Sequence, residues 1–501
     1  MALWRVVFIV ITCAIVSFSG YSLRMADHST KRSEVLDEEA RRAAGGSVPM
    51  SDKERRANEV LLEAKSEELT AAKRDVHTFL PARNFLEVAE DISRSKVYKI
   101  LKKLPKGGLL HVHLFASVSF KYVFNDLTYR DNLYFCDGEH QKLRFMSKQG
   151  DLCRSLADER KNDPDFDKWL RRTISLTKED VRCGIHHVWN RFRKILTATY
   201  DIFTYKPVFI DYVTKMLEEL YEDNVFYVEV RSPFVELYDL DGTTYGGREF
   251  INIFQTTVHQ FKNTHPKFVG AKFIYAIYRK LNEDALRRSL EQLGDIMAEF
   301  PDFIVGFDFV GFEEDAPLRD HVHQLSELDL SYFFHAGETN WNGADVDNNL
   351  VDAVLLGAKR IGHAFALFKH PRVKEIVREK DIAVEVNPIS NQVLKLVSDL
   401  RNHPANYLIA EGFPIVICND DPGNWGAEGL SYDWYEVFMA MTSEASGLGF
   451  LKEVAMNSIR YSGMSPADKA AAMEKWEVEW EKFVDDLVAE RKEREVSSSS
   501  I

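Results

Sequence analysis

The stretch from Gly108 to Phe115 has the sequence Gly-Leu-Leu-His-Val-His-Leu-Phe, an apolar run interrupted by His111 and His113. Its near-continuous apolar character is typical of a parallel strand that is buried on both faces. Residues two positions apart on a strand point to the same side, so both imidazoles are expected to face one interior. The stretch therefore predicts a buried parallel strand that presents two histidines together.

Seven further apolar runs follow along the chain, separated by segments with helical spacing. One such segment carries Tyr212, Met216 and Leu220 at four-residue intervals. Alternating strands and helices in this number predict the α/β class and a TIM (β/α)8 barrel, whose functional groups lie at the C-terminal ends of the strands. The eight runs are Gly108–Phe115, Val225–Val230, Phe268–Ile277, Ile304–Val310, Tyr332–Ala336, Arg360–Phe365, Ile382–Val386 and Pro414–Cys418.

Polar residues with catalytic or metal-binding chemistry lie at or just after the ends of four of these runs. Because the C-terminal ends of barrel strands meet at one face, we expect their side chains to converge. A core or loop role would explain any one of them alone, but it does not explain their common placement. The residues are His111, His113, His335, Glu338, His363, Asp420 and Asp421.

Three histidines and one aspartate are a sufficient donor set for one Zn²⁺ per chain. Such a metal lowers the pKa of its water from about 15.7 toward about 7, which supplies hydroxide at neutral pH. Glu338 and His363 are then available for proton transfer, and Asp421 for a hydrogen bond to the substrate. The sequence therefore predicts a metal-dependent hydrolase. Its predicted ligands are His111, His113, His335 and Asp420.

Additions surround the predicted barrel, which covers about 105–490. Residues 1–19 have the basic, apolar and small-residue order of a secretory signal peptide, with a signal anchor as the alternative, and this predicts a secreted protein. Residues 20–104 predict a helical arm, in which Ser51-Asp-Lys-Glu54 has the pattern of a capping box. An insertion is expected at about 127–177, and the tail 491–501 is expected to be disordered.

Charge and cysteine content narrow the partners and the compartment. The net charge of −14 argues against nucleic acid, which selects basic surfaces. No run after the first segment approaches the length that a membrane span needs. In an oxidising compartment Cys136 and Cys153, which share the loop-rich insertion, are the favoured disulfide pair. Cys418 lies in an apolar run and is expected to be a buried free thiol.

The short motifs His111-Val-His113, His335-Ala-Gly-Glu338, Arg360-Ile-Gly-His363 and Asp420-Asp-Pro422 together resemble the adenosine deaminase superfamily. Longer stretches are similar to its secreted branch, the adenosine deaminase-related growth factors of the adenosine deaminase 2 type. The resemblance covers nearly all of the chain after the signal peptide. The longer stretches are Pro105–His111, Tyr332–Thr339, Pro388–Pro404 and Gly429–Asp433.

The resemblance implies roles for individual residues. It implies that Zn²⁺ is bound by the four ligands named above, that Glu338 protonates N1 of a purine and that His363 aligns the hydroxide. It further implies that Asp421 and the backbone of Gly311 contact the base. Trp189 lies in a segment similar to the substrate-contacting aromatic segment of the branch, with helix packing as the alternative.

The resemblance also bears on assembly. In this branch the N-terminal arm mediates dimerisation, so a homodimer is expected. The insertion of the branch carries a disulfide that matches Cys136–Cys153. The expected small-molecule partner is a purine nucleoside, and a cell-surface receptor stays open as a further partner.

The chain departs from the pattern of the family at three positions. Leu114 stands where the branch has aspartate after His-x-His, Phe312 stands where the family has histidine in Gly-His-Glu, and Ala364 stands where it has glycine. The first two positions belong to the sugar side of the pocket, and leucine and phenylalanine cannot replace those hydrogen bonds. We therefore expect an intact hydrolytic site with weak selectivity for the ribose hydroxyls.

Three functions compete. The leading hypothesis is a secreted zinc aminohydrolase that converts adenosine, or a related 6-aminopurine nucleoside, to an inosine-type product and ammonia. The second is a secreted growth-factor-like binding protein with reduced or lost catalysis, and the third is another barrel metallohydrolase, such as an amidohydrolase. Intact Glu338 and His363 favour the first over the second. The third is weakened because the sequence has no obvious carbamylated-lysine site for a second metal.

Overall fold

A computed structural model describes residues 25, 27–138 and 141–499, with the side chains of 492–499 excepted. The predicted signal peptide, residues 1–19, lies outside the described residues. Across the part of the chain that the structure describes, no helix combines the length and the apolar character that a bilayer crossing requires.

Thirteen β-strands lie within the described residues. They are β1 (Gly107–His113), β2 (Leu133–Cys136), β3 (Lys142–Phe145), β4 (Cys153–Ser155), β5 (Val225–Ser232), β6 (Leu237–Tyr238), β7 (Thr244–Tyr245), β8 (Gly270–Tyr278), β9 (Ile304–Val310), β10 (His335–Ala336), β11 (Arg360–His363), β12 (Ala383–Val386) and β13 (Ile415–Ile417).

The α-helices of the same ranges begin with α1 (27–42), which the backbone places in the arm. The others are α2 (Asp52–Arg74), α3 (Phe85–Arg94), α4 (Lys96–Lys103), α5 (Phe120–Asn125), α6 (Leu156–Asn162), α7 (Phe166–Ile174), α8 (Ile185–Phe203), α9 (Lys206–Glu222), α10 (Gly247–Thr264), α11 (Glu283–Glu299), α12 (Val322–Ser326), α13 (Asn349–Leu355), α14 (Pro371–Glu379), α15 (Pro388–Val393), α16 (Ala405–Ala410), α17 (Ser431–Ala440), α18 (Leu448–Arg460) and α19 (Pro466–Ser499).

Eight of the strands are parallel and coincide with the eight predicted runs. They form two sheets of four, in the orders β1-β5-β8-β9 and β10-β11-β12-β13. Single parallel bridges join the edges of the two sheets, one between Val112 and Asp420 and the other between Phe307 and Tyr332. At the first edge the amide of His113 donates to the carbonyl of Asp420 over 2.9 Å. The predicted α/β class with parallel, largely buried strands is confirmed.

The interior of these sheets contains charged residues that pair with one another. Arg360 donates from Nε to Glu385 Oε1 over 2.7 Å and also pairs with Glu229. Arg231 donates to Glu385 Oε2 over 2.7 Å and to Asp308 Oδ2 over 2.8 Å. All five side chains are buried, so each charge depends on its partners for compensation.

We expect Arg360→Met to lower the free energy of unfolding by about 3–5 kcal/mol, because it leaves Glu229 and Glu385 with uncompensated buried charge. The matched control is Arg372→Met on α14, where the side chain is exposed and the expected change is within about 0.5 kcal/mol. Chemical denaturation of both variants measures the difference. A loss below about 1 kcal/mol for Arg360→Met would contradict this view of the network.

The predicted insertion contains a small antiparallel sheet in the order β3-β2-β4, followed by α6 and α7. A disulfide joins Cys136 at the end of β2 to Cys153 at the start of β4, which confirms the predicted pair. Cys418 is a buried free thiol, as expected, and Cys183 is free and exposed. β3 packs on α8, so the insertion supports a helix that also borders the site described below.

The N-terminal arm packs on the C-terminal helix. The capping box at the start of α2 is present, since the amide of Glu54 donates to Ser51 Oγ over 3.2 Å and the amide of Ser51 donates to Glu54 Oε2 over 2.7 Å. The indole of Trp480 in α19 donates to Glu54 Oε1 over 2.8 Å. Trp476, Trp480 and Phe483 of α19 are buried, so this aromatic face of the helix is a packing surface.

The disorder predicted for the tail 491–501 stays a prediction, and the last helix overlaps the start of this segment. The backbone of α19 continues to Ser499. The segment 489–495 consists mainly of alanine, glutamate, lysine and arginine, which have high helix propensity. Arg491 also pairs with Glu59 and Glu63 of α2, and these ion pairs connect the last part of α19 to the arm.

Candidate metal centre and active site

The four predicted metal ligands converge at the C-terminal ends of the parallel strands. His111 and His113 come from β1, His335 from β10, and Asp420 follows β13. One donor atom of each residue lies within 4.8 Å of the donor atoms of the others. Asp420 Oδ1 lies 2.9 Å from His113 Nε2 and 3.3 Å from His111 Nε2. The strands thus bring together a cluster that no local segment contains.

The chemistry of this cluster fits a metal ion. His111 Nε2 and Asp420 Oδ1 are buried and make no hydrogen bond. Buried polar atoms without partners are rare, and each calls for a specific explanation. A cation between the two atoms would satisfy both, and three imidazoles with one carboxylate are a donor set suited to it.

Buried carboxylates fix the ring orientations of two of the histidine ligands. Nδ1 of His111 lies 2.7 Å from Glu385 Oε2, and Nδ1 of His335 lies 2.7 Å from Asp308 Oδ2. The carboxylates accept the Nδ1 protons, which leaves the Nε2 lone pairs directed to the cluster. Arg231 binds both carboxylates and so connects the two supports.

The protonation states follow from burial and charge. Burial lowers the pKa of His335 to about 4, which makes the ring neutral at pH 7 as metal binding requires. At His113 burial acts in the same direction, but the carboxylates of Asp421 and Asp420 outweigh it and raise the pKa to about 8. His113 must therefore release its proton when a metal binds. Burial would raise the pKa of Asp420, but the neighbouring histidines hold it well below its usual value.

Backbone strain coincides with the cluster. Asp420 has φ +60°, His363 has φ +61° and Ala364 has φ +46°. These are left-handed conformations, which cost a non-glycine residue about 1–2 kcal/mol each. Ala364 is the position where the resembled family has glycine, so the chain retains the conformation and accepts this cost. Such strain concentrates at functional sites, where the surroundings hold it in place.

Glu338 is held by a carboxylate that sequence reasoning did not identify. Glu313 accepts hydrogen bonds from the amides of Gly337 at 3.1 Å and Glu338 at 2.7 Å, and from Asn349 Nδ2 at 2.7 Å. Burial raises the pKa of Glu338 well above its ordinary value, and the charges of Asp420 and Glu313 add to the effect. Its buried surroundings therefore favour the protonated form of Glu338. Its Oε1 makes no hydrogen bond within the protein.

His363 lies beside the cluster at the end of β11. Its Nε2 lies 3.8 Å from Asp420 Oδ2, and its Nδ1 lies 3.7 Å from Glu338 Oε1. Asn391 Nδ2 donates to His363 Nδ1 over 3.0 Å, which places the ring proton on Nε2. Asn391 Oδ1 is in turn 2.9 Å from His403 Nε2. Because burial lowers the pKa of His363 well below its ordinary value, the ring is neutral.

A cavity of about 360 Å³ opens beside the cluster. The three residues predicted to contact substrate, Gly311, Asp421 and Trp189, all line it, as do Glu338 and His113. Burial raises the pKa of Asp421 to about 8. All the predicted site residues therefore lie at this cavity or beside it.

Gly311 and Trp189 shape the wall of this cavity. Gly311 has φ +100°, and a Cβ there would come within 2.4 Å of the ring of Tyr278. Only glycine fits this position. Trp189 in α8 is buried, and its ring centroid lies 4.9 Å from that of Phe312. Trp189 therefore packs inside the protein and also lines the cavity. Helix packing and contact with a substrate, the two roles considered for Trp189, do not exclude each other.

The sequence did not identify the residues that hold the metal ligands, Glu338 and His363 in place. Part of this group had a signal in the sequence, since Asp308 and Glu385 are charged residues inside otherwise apolar runs and Arg231 directly follows such a run. Charged residues are rarely buried without a partner. Ser390 donates to Asp420 Oδ2 over 2.6 Å, and nothing in its local sequence indicates this role. The missed residues are Arg231, Asp308, Glu313, Arg360, Glu385, Ser390, Asn391 and His403.

Comparisons with known proteins identify similar chains. The adenosine deaminase family model matches residues 175–477, and the adenosine/AMP deaminase N-terminal model matches residues 7–101. The chain is 41% identical to an adenosine deaminase of Phlebotomus duboscqi over 92% of each chain. It is 40% identical to adenosine deaminase 2-A of Danio rerio, covering 91% of this chain and 93% of that one.

Solved structures share the fold. An Arabidopsis N6-mAMP deaminase superimposes with a TM-score of 0.56 at 17% identity, covering 76% of this chain and 99% of that chain. At this identity the similarity supports the architecture of the parallel sheets and nothing finer.

Proposed function

Because this chain belongs to the adenosine deaminase family, and within it to the adenosine deaminase 2 type, we propose that it deaminates adenosine or a related 6-aminopurine nucleoside by hydrolysis. The products are an inosine-type nucleoside and ammonia. The observation that carries the proposal is the convergence of four metal donors with the buried side chains of Glu338 and His363 beside one cavity.

We assign the metal as one Zn²⁺ held by His111, His113, His335 and Asp420. The donor set of three imidazoles and one carboxylate suits this ion. A bound Zn²⁺ supplies a nucleophile near neutral pH by acidifying water. Glu385 and Asp308 would keep two of the imidazoles in the tautomer that binds a metal.

Glu338 supplies the acid of the reaction. As a protonated carboxyl that is buried beside the cluster, it can give its proton to N1 of the purine and make C6 more electrophilic. Water adds its oxygen to C6, the bond from C6 to the amino nitrogen breaks, and the amino group leaves as ammonia. One water proton departs with the ammonia, and the other replaces the proton that Glu338 gave to N1.

His363 and Asp421 act as positioning groups in this scheme. His363 presents its Nε2 proton to the space beside Asp420, where it can orient the attacking water. Asp421 is buried at the wall of the cavity with Gly311, and both can hydrogen-bond the base. These roles follow the family resemblance and agree with the observed positions of the side chains.

Finer features of the architecture are part of the same proposal. The bridges between Val112 and Asp420 and between Phe307 and Tyr332 support a closed TIM barrel built from the eight parallel strands. Secretion is proposed from the order of basic, apolar and small residues in 1–19. Homodimerisation through the arm is proposed from the family resemblance, with the N-terminal family match at 7–101 in support.

The proposal is tested by following the loss of adenosine ultraviolet absorbance with purified full-length protein. We expect turnover with zinc-loaded protein, loss of turnover after chelation, and recovery when Zn²⁺ is restored. Calorimetry with the same preparation distinguishes the binding-only alternative. Adenosine binding without turnover by fully zinc-loaded protein would contradict the proposed activity.

A further inference from the structure

The outer part of the active-site cavity is apolar. Its inner end carries His113, His335, Glu338 and Asp421, whereas side chains of α8 and of the turns after β1 and β9 line the remainder. The apolar residues of this outer wall are Leu114, Phe115, Trp189, Phe192, Leu196 and Phe312.

Most hydroxyl groups of the outer wall donate hydrogen bonds to other groups of the protein. Thr197 and Thr199 donate to backbone carbonyls one helical turn earlier, over 2.9 and 3.0 Å. Ser232 donates to the carbonyl of the next residue over 2.9 Å. Tyr278 donates to Asp315 Oδ2 over 2.6 Å. The protons of these hydroxyls are therefore not available to a ligand hydroxyl, which would meet few hydrogen-bond donors at this wall.

The cationic groups of the cavity are committed as well. Arg193 Nη1 lies 3.1 Å from Asp315 Oδ2 at the outer wall, and Arg231 at the inner end is paired with Asp308 and Glu385. Among the described residues that line the cavity, both arginines are thus neutralised by carboxylates. The cavity does not present the free positive charge that a phosphate group requires.

Two of the departures from the family pattern lie in this wall. Leu114 is 1% exposed and Phe312 is 6% exposed. Bulk water therefore does not reach these positions to supply the hydrogen bonds that a polar side chain would make there. Phe312 packs on Trp189, and Phe115 stacks on Phe203 with ring centroids 5.6 Å apart. The substitutions therefore belong to a continuous apolar surface.

We propose that this cavity selects 6-aminopurine nucleosides whose sugar carries an apolar group in place of the 5′-hydroxyl. The inference rests on the proposed function, since the reacting C6 must lie beside the metal donors and Glu338. N9 is on the opposite side of the purine, so the sugar extends into the outer part of the cavity. The exocyclic 5′ carbon reaches beyond the sugar ring and meets the outer wall.

The direction of the preference follows from desolvation. A 5′-hydroxyl at this wall gives up its hydrogen bonds to water without equivalent replacements, which is unfavourable. An alkylthio group at the same position buries apolar surface against leucine and aromatic side chains, which is favourable. A small apolar extension in a hydrophobic pocket changes kcat/KM by roughly 10-fold or more.

The test compares kcat/KM of the zinc-loaded, full-length protein for adenosine, 5′-deoxyadenosine and 5′-deoxy-5′-methylthioadenosine. We expect the methylthio compound to be preferred over adenosine by about 10-fold and 5′-deoxyadenosine to be used at least as well as adenosine. A preference for adenosine over both analogues would overturn the inference and leave the proposed function intact. It would show that another group, such as the Tyr200 hydroxyl, reads the sugar. Turnover of none of the three would instead contradict the proposed function.

A pair of variants locates the preference in the wall. Phe312→His restores a polar group beside Trp189, and we expect it to lower the ratio of kcat/KM for the methylthio compound to that for adenosine by about 5-fold or more. Phe368→His is the matched control, because Phe368 is 43% exposed and stacks on Tyr407 outside the cavity. An unchanged ratio in folded Phe312→His, or an equal change in the control, would argue against the wall as the source.

Discussion

Glu338→Gln is expected to lower kcat by at least about 10²-fold, the usual scale for removing a general acid. The amide has nearly the same shape, so Glu313 can still hold the turn through the amides of Gly337 and Glu338. What is lost is the carboxyl proton that we assign to the purine N1. The measurement is steady-state turnover of adenosine, together with the zinc content of the same sample.

The control for this variant is Glu327→Gln, an exposed glutamate outside the cavity, which is expected to leave kcat unchanged. The Glu338→Gln variant should retain zinc at the wild-type level, since Glu338 is not among the four assigned ligands. A turnover rate near that of the wild type in zinc-loaded Glu338→Gln would refute the role of Glu338 as the acid.

The second large effect concerns the metal. The double variant His111→Ala/His335→Ala removes two of four donors and is expected to lose bound zinc and, with it, measurable turnover, because an incomplete ligand set binds much more weakly. Metal analysis after extensive dialysis gives the occupancy, and circular dichroism shows whether the fold is retained. His323→Ala is the matched control, because that histidine belongs to the second His-x-His of the chain and its side chain is 85% exposed.

Full zinc occupancy in the double variant would contradict the ligand assignment. Zinc loss in His323→Ala would contradict it as well, since His323 lies in the helix Val322–Ser326 and not at the end of a strand. The two outcomes together separate a specific metal centre from adventitious binding by surface histidines.

The positions of the metal ligands could be predicted because each buried strand is visible in the sequence as a short apolar run. Runs such as Val225–Val230 and Ile304–Val310 are apolar except for one acidic residue each, and the spacing between most runs leaves room for a helix. Once the eight runs are placed in parallel order, His111, His335 and Asp420 must come to the same face. The convergence of the ligands was therefore predictable without knowledge of any contact.

The supports of the site were not predictable in the same way. Glu313, Asn391 and His403 act through contacts whose partners are distant in sequence, and nothing in their local sequence distinguishes them from ordinary polar residues. The strain at Ala364 was also hidden, because a positive φ at an alanine depends on the surrounding packing. The extension of α19 past residue 490 was not predictable either, because its contacts with α2 are long-range.

The most direct test of the central claim is deamination of adenosine by zinc-reconstituted, full-length protein in ¹⁸O-labelled water. We expect equal amounts of inosine and ammonia, with one label in the oxygen at C6, and no product from the chelated protein. Absence of inosine in a sample with full zinc occupancy, or inosine without the label, would contradict hydrolysis at this site.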